Sequence, residues 1–336
     1  MIKQKEIKEL VNFSIYPCDI ERFGGDWSSL EQFVSGHGLN GLELLVGNEP
    51  LPEIPAHLVH GVHLPSPFAY FKLLTGDPDL EGLEEWEINI IYGGRNREEL
   101  ISRFCNTMEN VSAFDPAYAV FHVSYVETDQ VFTRNHGCTD EDVLCATADL
   151  LNEAVSHFPD GEPPVRLFFE NLWWPGLTLL DPELTLRFSD MLDFNNWAFL
   201  LDTGHFMNAT MCCNEENCAV GTVLDRLDKL PREIIEKIEG MHFHYSLSGD
   251  YQKESILPQH PPHLQEKNFS ESYMDIMEHV GKIDQHMPFS ITKCKDIVDI
   301  VSPNYLTHEF VTKGLDELDR KLRLQCGSLN GNQWTR

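Results

Sequence analysis

The chain has 336 residues, 42 % of them hydrophobic and 10 % aromatic, enough for a sizeable core and against disorder. Its 54 acidic residues outnumber 25 Lys and Arg, and the formal charge of −29 makes a polynucleotide, gripped mainly by cations at phosphates, a poor partner. No apolar run reaches the ~18 residues of a membrane span, the opening MIKQKEIKEL lacks the apolar stretch of a secretory signal, and nine irregularly spaced cysteines suit free thiols, so a cytoplasmic protein is expected.

Short apolar runs alternate with longer helical patterns. A strand is predicted over Val11–Tyr16, a helix over Trp27–Ser35, then strands over Gly41–Val46 and Leu58–Leu64. After a stretch with no clear helix (66–95) come a helix over Asn96–Ser112, a strand over Tyr118–Ser124 and a helix over Asp140–His157. The strand Val165–Glu170 leads to a helix over Asp181–Asn195, with Asp181 and Asp140 as candidate N-caps and Pro182 suited to a first helical turn. Trp197–Asp202, a helix over Val220–Ile238, and Gly240–His244 follow. Helices over Ser270–Ile283 and Thr292–Val301, the strand Asn304–Glu309 and a helix over Gly314–Gln325 end the series.

Strand–helix alternation repeated eight times predicts a parallel (β/α)₈ TIM barrel, one domain over residues 1–336. An ordinary barrel needs about 250 residues. The surplus falls at 66–95, 126–139, 206–219 and 245–269, all connections leading from a strand to its helix. Those connections build the C-terminal face, so long loops over an enlarged mouth are expected. Within one of them, Cys212, Cys213 and Cys218 are too few for a structural zinc knuckle and read as loop thiols.

The strand ends carry the chemistry. His63, His122, Glu170, Asp202, His242 and Glu309 close the third to eighth strands, each after apolar residues. A lone His in VHLP or FHVS is ordinarily a hydrogen-bonded core residue, and a lone Glu after FF can mark a solvent exit. Six such endings in succession ask for cations, because buried carboxylates without partners cost several kcal/mol. Mixed His, Asp and Glu ligation suits zinc, manganese or iron(II). His244 follows His242 by two and points to the same side of the strand; Glu43 ends the second strand on the same rim. Tyr16, Phe68, Tyr70, Trp173, Trp174, Phe206 and Tyr245 crowd this rim, and Trp173, three residues after Glu170, is the foremost candidate to stack on a substrate.

The stretches VHLP (62–65), FHV (121–123), FENLWWPG (169–176), LDTGH (201–205), GMHFH (240–244) and THEF (307–310) resemble the xylose-isomerase-like TIM-barrel superfamily, which holds sugar isomerases, sugar epimerases and apurinic-site endonucleases. The resemblance runs over roughly residues 10–325. It implies that Glu170, Asp202, His242 and Glu309 are metal ligands, Glu170 bridging where two ions bind. It implies that His63 and His122 hold a further zinc in the endonuclease branch. His205 matches a position that binds a third zinc in endonucleases and contacts substrate hydroxyls in epimerases. The endonuclease pattern also has an Asp-x-His pair after the seventh strand; none occurs between Gly240 and Ile283, where His260 and His263 in QHPPH are the substitutes on offer. The expectation is therefore one divalent ion, or two, as Mn²⁺, Zn²⁺, Co²⁺ or Mg²⁺.

The leading expectation is metal-dependent isomerisation or epimerisation of a small sugar, sugar phosphate or related polyhydroxylated carbonyl compound through an enediolate. Glu170 and Glu309 would then move the proton, and His205, His244, Trp173 and Glu43 would contact the substrate. The alternatives are zinc-dependent phosphoester hydrolysis and a non-catalytic metal-binding barrel. The resemblance to epimerases implies a homo-oligomer, and the small-substrate reading implies no nucleic acid or membrane partner.

Overall fold

Eight parallel strands close into a barrel in chain order: β1 (Lys8–Ser14), β2 (Gly41–Leu45), β3 (Val59–His63), β4 (Tyr118–His122), β5 (Leu167–Glu170), β6 (Trp197–Asp202), β7 (Ile238–His242) and β8 (Tyr305–His308). The computed structural model describes residues 6–47, 51, 53–76, 78–259, 261 and 269–331. Helices follow the strands, so the expected (β/α)₈ architecture holds. Among the described residues, no helix is long and apolar enough to cross a membrane.

Side chains alternate along each strand, and the inward set is stacked in layers. The lower interior is apolar: Leu10, Tyr118, Val120, Phe168, Ala198 and Leu200 are buried there together. Tyr118 and Phe168 stack with centroids 4.3 Å apart. Gly61 makes this layer fit, because a Cβ at that position would lie 2.2 Å from the Tyr118 ring. The next inward residues up the strands are those that end them. Glu170 is paired in register with His122, and Asp202 with His242.

The departures from the expected elements have local causes. β1 begins and ends earlier than predicted, at Lys8 and Ser14, and β7 is shifted back so that His244 lies beyond its end. The predicted helix Val220–Ile238 is two helices, Glu216–Leu227 and Arg232–Lys237, broken at Pro231, which has no N–H and disfavours helical backbone before it. Asp181 caps the helix Pro182–Asp190 as expected, but that helix ends short of Asn195. Thr139, not Asp140, is the cap of the helix Asp140–Val155, in a reciprocal box with Asp142. Asp140 instead accepts the Gly176 N–H at 3.1 Å and ties the loop after β5 to that helix. The stretch 66–95 contains two short helices, Tyr70–Thr75 and Glu85–Ile91.

Candidate metal centre

At the barrel mouth the strand-end residues converge into adjoining groups. His63 Nε2 lies 3.0 Å from His122 Nε2 and 3.3 Å from Glu170 Oε2, and His122 Nε2 lies 3.0 Å from the same oxygen. The other oxygen of Glu170, Oε1, is 3.3 Å from His242 Nδ1. That nitrogen is also 3.6 Å from Asp202 Oδ2 and 3.3 Å from Glu309 Oε2. A third group joins His205, Asp284 and His286: Asp284 Oδ2 is 3.2 Å from His205 Nε2 and 2.7 Å from His286 Nε2. A fourth, His244 with His286 and Glu309, adjoins it.

The outer partners fix which nitrogen of each imidazole faces the centre. The Leu64 carbonyl, which can only accept, is 3.0 Å from His63 Nδ1 and holds the proton there, leaving a lone pair on Nε2. The Asn171 carbonyl does the same for His205 Nδ1 at 3.0 Å. His242 turns Nδ1 toward Glu170, Asp202 and Glu309, while Nε2 lies 2.8 Å from Glu43 Oε1 without hydrogen-bonding geometry. For His63 and His205 a lone pair meets a carboxylate oxygen, an arrangement that requires a proton or a cation between them. Glu170 Oε2, Glu309 Oε2, His242 Nε2 and His244 Nδ1 are buried without a partner in hydrogen-bonding geometry among the described residues. Imidazole nitrogens and carboxylate oxygens at these separations form the mixed donor set that divalent zinc, manganese or iron accept, so the residues fit a metal.

The titration behaviour agrees. Burial opposes charge on His205, His242, His244, Glu170, Asp284 and Glu309, and their neighbours overcome it. His242 is raised well above the usual imidazole range by Glu43, Glu309 and Glu170, His205 by Asp202 and Asp284, and His244 is raised to about 10 by Asp202. Glu170, Asp284 and Glu309 are held well below the usual carboxylate range, against burial, by the facing imidazoles. His122 is lowered, because burial prevails over Glu170.

The surrounding polar residues hold the donors rigidly. Asn171 both donates to and accepts from the Asp202 backbone, at 3.1 and 2.9 Å. Asp202 Oδ1 accepts the His205 N–H at 2.6 Å, capping the helix Thr203–Thr210 that carries His205. Gly204 lies against the His244 ring, where a Cβ would fall 2.1 Å from it, so no other residue leaves room for that imidazole. Ser246 Oγ donates to Asp284 Oδ1 at 3.3 Å.

Every sequence-predicted ligand — His63, His122, Glu170, Asp202, His242 and Glu309 — reaches the mouth. His205 and His244 arrive as well, His244 Nε2 lying 2.9 Å from Asp202 Oδ2 although it stands beyond the strand. Trp173 packs its ring 4.8 Å from that of His205. Glu43 does not present itself to a substrate: it is buried beneath His242, and its Oε2 accepts from the Tyr118 and Thr307 hydroxyls at 2.6 and 3.0 Å. Of the aromatic rim, Tyr70, Phe206 and Tyr245 are buried in packing. The sequence reading missed Asp284 and His286. The Asp-x-His pair exists as Asp284-Gln285-His286, starting one residue past Ile283. His260 and His263 lie outside the described residues.

No family model and no curated protein matches the chain. Solved structures do match in fold. Endonuclease IV from Thermus thermophilus superposes with a TM-score of 0.51 at 16 % identity over 96 % of this chain and 99 % of that one. Mannonate dehydratase from Streptococcus suis serotype 2 gives 0.51 at 10 % identity, over 98 % and 97 %. D-Psicose 3-epimerase from Clostridium cellulolyticum H10 gives 0.50 at 13 % identity, over 97 % and 98 %.

Proposed function

Starting from a chain with the xylose-isomerase-like TIM-barrel fold, we propose that it is a metal-dependent hydrolase of a small phosphate ester, working with more than one divalent ion, zinc being the best suited. The observation that carries this reading is the sharing of Glu170. One oxygen faces His63 and His122, the other faces His242, and Asp202 and His205 lead on to Asp284 and His286. That is more donors than one ion accepts. Closely spaced ions are the arrangement used for in-line displacement at phosphorus, where one side activates the attacking oxygen and the other stabilises the leaving one. An enediolate isomerase needs a single ion to hold two substrate oxygens, and the His63–His122 pair then has no task.

When bound, such ions supply Lewis acidity toward phosphate oxygens and bring water into its nucleophilic form near neutral pH. The chain's own residues do the rest. His63, His122, Asp202, His242, Glu309, Asp284 and His286 would hold the cations, with Glu170 shared between neighbouring groups. His205 belongs to the same holding set, through Nε2, and is not left free to touch substrate hydroxyls. Glu43 and Asn171 orient His242 and Asp202 from behind. His244, beside Asp202 and Glu309, stands at the edge of this set, where it can hold a proton for the departing oxygen. The acidic surface, with 54 Asp and Glu against 25 Lys and Arg, favours a small ester over DNA or RNA.

A second reading, sugar isomerisation or epimerisation, is favoured by one observation. Glu170 Oε1 and Glu309 Oε2 each stand 3.3 Å from His242 Nδ1, a carboxylate pair suited to removing and returning a proton. The test is metal content with two assays on protein purified without chelator. Two or three zinc per chain with cleavage of bis(p-nitrophenyl) phosphate, both lost in Glu170→Gln by ~10³-fold in rate, is the expected result. One ion per chain, and solvent deuterium entering ketose carbons without phosphate release, would overturn the hydrolase in favour of the isomerase.

A further inference from the structure

In a chain this acidic, a cation without a carboxylate is informative. Among the described residues Arg134 is such a cation. It follows the short helix Gln130–Thr133 in the loop after β4 and is held at a left-handed φ of 53°. Its described polar partners are neutral: Nη1 donates to the Met211 sulfur at 2.8 Å, and Nη2 donates to Gln252 Oε1. Its guanidinium lies 5.6 Å from the Trp174 ring centroid. The other described arginines either hold a carboxylate in an ion pair or are exposed to solvent. Arg134 is half-buried, and burial alone lowers it to about 10.

Its position ties it to the mouth. Trp174 comes from the loop after β5, Met211 from the end of the helix after β6 and Gln252 from the helix after β7. Four strand-to-helix connections therefore converge on one guanidinium. A chain of rings leads from it to the metal centre: Trp174 lies 5.1 Å from Trp173, and Trp173 lies 4.8 Å from His205. Two buried ring nitrogens along this path, Trp173 Nε1 and His136 Nδ1, have no hydrogen-bond partner among the described residues. The His136 ring packs 5.8 Å from Trp174 on the Arg134 side. An indole N–H is a donor only, so the orphaned one of Trp173, one ring removed from a guanidinium that has no carboxylate among the described residues, calls for an acceptor.

We propose that Arg134, with Trp173 and Trp174, forms an oxyanion-binding subsite next to the metal centre, taking a phosphate or carboxylate group of the substrate away from the bond that is cleaved. The guanidinium supplies the charge and a planar pair of donors, the Trp173 N–H a directional one, and the indole faces a wall for the organic part between the two anions. The subsite rests on the proposed function for its role in catalysis. As an anion site it stands on its own contacts.

The test uses the full zinc-loaded chain titrated with inorganic phosphate, followed by calorimetry and tryptophan fluorescence. Wild type is expected to show a phosphate class that quenches the indoles, besides the class at the metals. In Arg134→Gln the quenching class should weaken by at least ~10-fold while zinc content stays constant, and Arg134→Lys should restore part of it. Unchanged phosphate binding in Arg134→Gln, whether or not its melting temperature falls, overturns the proposal and leaves the arginine a packing residue. A second measurement separates the sources of the anion. Thymidine 5′-(p-nitrophenyl phosphate) is compared with its 3′-phosphorylated form. A raised KM in Arg134→Gln for the doubly anionic ester alone assigns the subsite to the substrate. Equal KM values, with the phosphate class still lost, assign it to free phosphate. If wild type cleaves neither ester and Arg134→Gln still loses phosphate, the hydrolase reading fails and the subsite survives.

Discussion

Two groups of buried histidines in this barrel are built from the same residue types and do opposite things. On the outer side of β8, His308 is fully buried between Glu9 and Gln325. The Phe289 N–H donates to Gln325 Oε1 at 2.9 Å, which turns the amide nitrogen toward the Phe243 carbonyl at 2.7 Å and toward His308 Nδ1 at 2.8 Å. Nδ1 therefore accepts, and Nε2–H donates to Glu9 Oε2 at 3.1 Å. Donors and acceptors alternate along that network, with Cys326 Sγ 3.8 Å from Nε2 at its edge. One residue along, the inward Glu309 belongs to the other group, where acceptor faces acceptor: His63 Nε2 toward Glu170, His286 Nε2 toward Asp284. A buried imidazole is structural when both nitrogens meet complementary partners, and it is a ligand when its lone pair is aimed at an oxygen.

The sharpest way to break this contrast is pH after chelation. In the metal-free protein His205, His242 and His244 are raised above the ordinary imidazole value of 6.5, His244 to about 10, carboxylates prevailing over burial. A raised folded-state value stabilises fully below the unfolded one and is lost as pH climbs through the folded one. Glu170, Glu309 and Asp284 are depressed from 4.5 or 3.8, so their contribution is present above that range and lost on acidification. Metal-free protein should be most stable between about pH 4.5 and 6.5 and lose roughly 10 °C of melting temperature by pH 9, with zinc restoring it. A melting temperature that stays flat from pH 6.5 to 9 without metal would show that the facing lone pairs cost nothing.

Glu43→Gln comes next in size. It leaves every inward donor in place and removes only the carboxylate behind His242, so zinc affinity should fall about 10–100-fold, measured by chelator competition, with the fold intact. Unchanged affinity would make Glu43 a packing residue. The smallest effect belongs to the other network. His308→Gln should lower the melting temperature by a few degrees, for about 1–3 kcal/mol of lost hydrogen bonding, and leave the metal content of wild type. Loss of zinc from that variant would dissolve the distinction between the two groups.

Much of the mouth was legible because strand ends leave a pattern in one dimension. An apolar run closed by His63, His122, Glu170, Asp202 or His242 gives both the strand and the place where its side chain leaves the barrel. What was not legible depends on contacts between distant segments. Asp284 and His286 sit at no strand end. They follow the helix Phe269–Ile283 and are brought to the mouth by a short antiparallel bridge between Tyr245 and Met287. The motif Asp-x-His stands in the sequence directly after Ile283, but at no strand end. Glu43 reads as a rim residue until Tyr118 and Thr307, from two other strands, are seen to occupy its second oxygen. Arg134 carries no sequence signal at all, since its separation from the described carboxylates exists only once four loops have met around it.

The single carboxylate of Glu170, divided between His63 with His122 on one oxygen and His242 on the other, has a consequence for how the centre fills. On the proposed reading an ion arriving on either side would order the same carboxylate and neutralise part of its charge. The second arrival then finds its oxygen already oriented but less negative. Ordering favours joint occupancy and charge opposes it, so the loading curve of this barrel measures the balance between preorganisation and repulsion at one side chain. On that reading Glu170 would be the coupling element of the centre, and its surroundings would set whether ions enter singly or as a pair.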